Sequence, residues 1–125
     1  MSYIPYNTNP IWKRTNDCTV RAISMVTNKP WRRVFYGMCA MGGDLYSMPS
    51  ANEVWGEYLN RIGYKRGVIP NTCPYCYTVR DFCRDNPYGR FVLGTGNHVI
   101  AVINGHWYDT WDSGDEVPIF YWWKG

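Results

Sequence analysis

The hydrophobic period of this chain changes near residue 90, and that change limits its possible folds more than any other feature. Upstream, apolar residues recur at helical spacing. Val20, Ala22, Ile23, Met25 and Val26 give a helix over 18–27 the broad apolar face of a central buried helix, and Asn28-Lys29-Pro30 breaks it. Pro30 opens a second helix over 30–40, with Trp31, Val34, Phe35 and Met38 at helical spacing and Gly42-Gly43 as its stop. A third spans 50–62: Ser50 and Glu53 make a capping box, Val54, Trp55, Tyr58, Leu59 and Ile62 form the stripe, and Gly63 is the C-cap. Thr78 caps a short fourth helix that turns Val79, Phe82 and Cys83 inward. Residues 1–15, interrupted by Pro5 and Pro10, are irregular and pinned by Tyr3, Tyr6 and Trp12; 64–77 is a loop.

Downstream, 90–94, 98–104, 106–112 and 117–123 read as four strands. Asn104-Gly105 is a two-residue turn of the type I′ kind, joining the second strand to the third. Helices followed by a meander place the chain in the α+β class, with N-terminal helices packed on a C-terminal antiparallel sheet. At 125 residues, with no repeat or linker, it is one domain, 1–125. Aromatic residues make up 18%, and their large buried areas help so small a core.

Several function classes are excluded at this stage. The net charge is +3, and the basic residues come in pairs, Lys13-Arg14, Arg32-Arg33 and Lys65-Arg66, too short for a nucleic-acid arm. No apolar stretch approaches the roughly 20 residues of a membrane span. The expectation is therefore no nucleic-acid and no membrane partner. Five cysteines, an odd number, and no signal-like N-terminal segment argue against a secreted disulfide framework. They point to a cytoplasmic location with mostly free thiols.

One of those thiols stands apart. Cys18 follows Asn16 and Asp17, two good N-cap residues, and opens the first helix. There it meets unpaired backbone N–H groups and the positive end of the helix dipole, both of which favour thiolate. A cysteine nucleophile also needs a base and an orienting partner for that base. The chain has two histidines, His98 and His106. With Asn104-Gly105 as the hairpin loop, Ile103 faces His106 and His98 falls opposite Trp111. Val99 then pairs with Thr110 and Ile100 with Asp109. His98 and Asp112 stand at the open end of this hairpin and His106 at the closed end, so the histidines cannot share a site. Strict alternation leaves Asp112 one step from His98, which a small bulge or the sheet twist must bring in. Asp109 is the alternative orienter.

Three blocks carry a resemblance: Asp17-Cys18-Thr19-Val20-Arg21-Ala22, then Gly96-Asn97-His98-Val99-Ile100-Ala101-Val102, then residues 105–113 with Asp109 and Asp112-Ser113. In this order they resemble the papain-like cysteine peptidase superfamily, and in particular small phage and bacterial proteins often described as peptidase C39-like. The resemblance covers about 16–124. It implies a papain-like fold and a Cys18–His98–Asp112 triad, with Asp112-Ser113 matching the Asn-Ser step of such enzymes. It implies hydrolysis or transamidation of a peptide, isopeptide or related amide through an acyl-enzyme, without cofactor or metal. The partner is then a peptide or protein substrate, host proteins included, in the host cytoplasm if the chain is phage-encoded. Papain-like enzymes usually carry an oxyanion-stabilising Gln six residues before the nucleophile. Here that position is Trp12, and Asn16 is the nearest amide.

Two other readings compete. One is a non-catalytic binding protein on the same fold. The other centres on Cys73-Pro74-Tyr75-Cys76, a CxxC that could be redox-active or, with Cys39 and Cys83, hold zinc. Cysteines of no special role are the plainer reading of that loop.

Overall fold

Both faces of the C-terminal strands are apolar, so the sheet they form needs cover on each side. The computed structural model describes residues 2–124 and contains β1 (Tyr3–Pro5), α1 (Cys18–Thr27), α2 (Trp31–Leu45), α3 (Asn52–Arg61), β2 (Lys65–Val68), α4 (Val79–Asp85), β3 (Arg90–Gly94), β4 (Val99–Ile103), β5 (His106–Asp109) and β6 (Phe120–Trp123). The strands form one sheet in the order β1-β5-β4-β3-β6-β2. Every residue of β4 is buried. Its odd-numbered side chains, Val99 and Ala101, join Val20, Ile23, Val26, Trp55 and Leu59 from α1 and α3. Its even-numbered ones, Ile100 and Val102, join Val79, Phe82 and Cys83 of α4 and Trp107. Ile23 is fully buried between helix and sheet, and its truncation to Ala would cost ~2–5 kcal/mol.

The helix core of the chain follows its sequence closely. α1 runs from Cys18 to Thr27 and stops at Asn28, which takes the left-handed conformation and returns its N–H to the last turn. Thr78 caps α4 in a reciprocal box with Asp81. The β4–β5 hairpin turns on Asn104 and Gly105, both at positive φ, and pairs Ile103 with His106.

Elsewhere the structure corrects the expectations. The sheet is mixed, because β1 runs parallel to β5. The meander also breaks: β6 returns past β5 and β4 to pair with β3. β1 and β2 are edge strands where irregular chain was expected. Neither has an apolar alternation of its own, and each is held by its neighbour's backbone. α2 continues through Gly42-Gly43 to Leu45, and Tyr46 caps it. Gly42 is needed there for another reason: a Cβ would lie 2.7 Å from the carbonyl oxygen of Ser47, where the chain folds back. The Ser50–Glu53 box does not form. α3 starts after Ala51, and Glu53 instead accepts from the Ser47 hydroxyl at 2.8 Å.

Candidate active site

The first turn of α1 brings Cys18 to the upper edge of the sheet, beside the start of β4. α1 lies against β4 because its apolar face is the widest in the chain, with most of its residues buried. The Cys18 thiol is half-buried and shares a cleft with the ring of His98. Burial works against its thiolate. The nearby His98 ring and its charge, the backbone N–H of Val99 and the Thr19 side chain outweigh it, so the thiol titrates below its ordinary value.

His98 is held from three sides. The Thr95 hydroxyl accepts from its backbone N–H at 3.1 Å. Trp111 stacks on its ring at 5.0 Å between centroids, in the register expected from the hairpin turn. Its Nε2 bonds Asp109 Oδ2 at 2.6 Å, which leaves Nδ1 for the sulfur. Burial opposes the charged ring, but Asp109 and Cys18 more than offset it and push the imidazole up to about 9. Each of the two groups thus favours the charged form of the other.

Asp109, and not Asp112, is the orienting carboxylate. The Asp112 carboxylate is committed elsewhere: it accepts from Trp107 Nε1 at 2.9 Å and from the Gly114 N–H at 3.0 Å. Trp107 packs with α4, on the face of the sheet opposite α1. The physical reason lies at the strand ends. His98 stands one residue before β4 and Asp109 is the last residue of β5, so the two side chains meet at the open end of the hairpin; Asp112, three residues past β5, has already turned back to Trp107 and Gly114.

Behind the site lies a run of buried charge. Asp109 is 2% exposed; its Oδ1 accepts from the Thr110 N–H at 2.8 Å and lies 3.7 Å from Arg21 Nη2. Arg21 Nη1 in turn donates to Asp17 Oδ1. Asp17 also accepts from Trp31 Nε1 at 3.0 Å and Asn9 Nδ2 at 3.4 Å. Asp17 occupies the N-cap position of α1, but its side chain makes no cap bond. Its carboxylate is taken by Arg21 and does not cap the first-turn N–H groups, which have no intrahelical partner of their own. The spacing of Asp17 and Arg21, four residues apart, was the available signal for this pair.

Cys18, His98, Arg21 and Asn16 line a cleft of about 1010 Å³. Asn16 is exposed on its wall. Tyr6 lines it as well; burial and the nearby Asp109 push its phenol up, so it stays a neutral O–H. His106 lies at the closed end of the hairpin beside Ser2, away from this cleft.

The remaining cysteines diverge from the expectation of free thiols. Cys73 and Cys76 are joined in a disulfide; Cys39 and Cys83 are free. A strand, β2, does precede the CxxC, but it is an antiparallel edge strand, and α4 begins at Val79, beyond the motif. Among the described residues, no three His, Cys, Asp or Glu side chains cluster as metal ligands. No helix of the described residues is long and apolar enough to cross a membrane. No family model, no curated protein and no solved structure matches this chain.

Proposed function

We propose that this protein is a cysteine hydrolase of the papain-like kind, acting on an amide bond through Cys18, His98 and Asp109. The observation that carries this reading is the 2.6 Å bond from His98 Nε2 to the buried Asp109 carboxylate, in the same cleft as a thiol whose pKa is lowered. The Cys18 thiolate attacks the carbonyl carbon, and the carbonyl electron pair moves onto oxygen. The backbone N–H of Cys18 and the Asn16 amide are the nearest donors for that oxyanion. His98 gives its proton to the leaving nitrogen as the carbon–nitrogen bond breaks, and a thioester remains. Neutral His98 then takes a proton from water. The hydroxide adds to the thioester, Cys18 departs as thiolate, and the imidazolium is restored. An amine in place of water would give transamidation by the same steps. Asp109 keeps the ring oriented and stabilises its charge.

The direct test is alkylation by iodoacetamide near neutral pH, followed residue by residue. Cys18 should react far faster than Cys39 and Cys83, and Cys18→Ala should remove the fast phase while the far-ultraviolet circular dichroism is unchanged. Equal labelling of the three free cysteines would sink the reading. Turnover is then sought with fluorogenic peptide and isopeptide substrates.

A further inference from the structure

The mouth of the cleft is positively charged without a partner. Lys13 and Arg14 line it, and no Asp or Glu among the described residues does. Neither cation belongs to an ion pair among the described residues. The acids beneath the site are already committed, Asp17 to Arg21, Trp31 and Asn9, and Asp109 to His98 and Arg21. With the thiolate formed, that buried group holds three negative and two positive charges. The two lip cations reverse the sign that an arriving ligand meets.

The loop that carries them is built rather than loose. Asn9 is 6% exposed and bonds Asp17 through its Nδ2, while its Oδ1 accepts from the Ile11 N–H and its carbonyl accepts from the Trp12 N–H at 3.0 Å. The same asparagine thus ties this loop to the charge network under Cys18. Trp12 is held at φ 56, a conformation that a bulky residue avoids, and its indole is 71% exposed. Such strain with no compensating burial of the ring is a feature of ligand-binding loops. Across the cleft, Trp111 presents a second exposed indole above His98.

We propose, resting on the hydrolase reading, that the cleft selects an acidic substrate. A carboxylate close to the scissile amide is held by Lys13 and Arg14, between the Trp12 and Trp111 walls. The carboxylate can be a Glu or Asp side chain or the substrate's own C-terminus.

Two alkylating reagents of similar size separate the charge effect from the chemistry. In both iodoacetate and iodoacetamide the thiolate sulfur displaces iodide, but only the first is an anion. The reading is the ratio of the two rates at Cys18, with the neutral reagent as the reference in each protein and Cys39 as an internal control. In Lys13→Ala/Arg14→Ala that ratio should fall about three- to tenfold, the size expected of two exposed charges. Raising the salt toward 1 M should lower it in the unaltered protein. The exchange Lys13→Arg/Arg14→Lys should keep it. An unchanged ratio in the alanine variant, or an equal loss in the charge-keeping exchange, overturns the proposal. Peptides with Glu or Gln beside the scissile bond, each with a free or an amidated C-terminus, then identify which carboxylate is held. Charge-selective alkylation without cleavage of any peptide would support the anion site and count against hydrolysis alone.

Discussion

Two free cysteines sit in helices on opposite faces of one sheet, and their chemistry runs in opposite directions. Cys83, in α4, is surrounded by Val79, Phe82, Leu93, Ile100 and Val102, and burial pushes its thiol up to about 12. Cys18, in α1, is also desolvated, but its thiol titrates below the ordinary value. Burial is therefore not what separates them. Cys18 has a nearby imidazole, a strand N–H and a neighbouring hydroxyl for its negative charge, and Cys83 has an apolar shell that the charge of Arg80 does not offset. A helix in this fold makes a thiol inert or reactive according to what the sheet edge places opposite it.

That comparison can be broken at several points. The largest effect is expected from Cys18→Ala, which should abolish fast alkylation and lower any turnover by at least about 10⁴-fold. Next comes the orienting acid. Asp109→Asn should reduce kcat/KM by roughly 10²–10⁴-fold and move the Cys18 alkylation profile to higher pH, toward Cys83 behaviour. Asp112→Asn should leave that profile in place and weaken only the contacts with Trp107 and the Gly114 N–H, costing ~1 kcal/mol in urea denaturation. A larger activity loss from Asp112→Asn than from Asp109→Asn would reverse our assignment.

Arg21→Met tests the charge beneath the site. It leaves Asp17 buried without its cation and Asp109 with His98 alone, and should destabilise the fold by ~3–5 kcal/mol, measured by urea denaturation. Asp17→Asn on that background should recover part of the loss, since the stranded charge is then gone.

The pH dependence follows from His98. Its folded pKa is raised from 6.5 to about 9, so the stabilisation it brings is complete below about 6.5 and is lost as pH rises through about 9. Thermal denaturation should show this loss between those values, and His98→Ala should flatten it. The acylation rate should fall over the same upper limb, because the leaving nitrogen loses its proton donor. The smallest effect on reactivity is expected from Cys83→Ser. It places a hydroxyl among apolar side chains, with a cost of ~1–3 kcal/mol in stability and no change in Cys18 alkylation.

The orienting acid also shows how far the sequence could be read. The turn at Asn104-Gly105 sets the hairpin register, which places His98 at the open end with Asp112 and leaves Asp109 as the alternative orienter. The resemblance to papain-like enzymes favoured Asp112, through its Asp-Ser step, and required a bulge to reach the ring. What decided between the two carboxylates is where the chain leaves β5: Asp109, at its last residue, meets the ring, while Asp112 has turned back to Trp107 and Gly114. The same contrast holds in the helices. The bounds of α1 and the cap of α4 depend on residues within one turn of each other and were legible. The end of α2 depends on how the chain after it packs against Gly42, and was not.

What the sequence by itself determined is local: the helix that opens at Cys18, the cap at Thr78, the hairpin at Asn104-Gly105 and the placement of His98 at its open end and His106 at its closed one. Backbone hydrogen bonding and turn chemistry over three or four residues are enough for each. The tertiary structure alone decided what meets across long separations. It paired the edge strands β1 and β2, turned β6 back onto β3, drew Asn9 and Trp31 onto Asp17, and set Arg21 between Asp17 and Asp109 beneath the Cys18–His98 pair. Those contacts exist because the sheet and α1 exclude water there, and charges brought together in such a place must find each other or leave it.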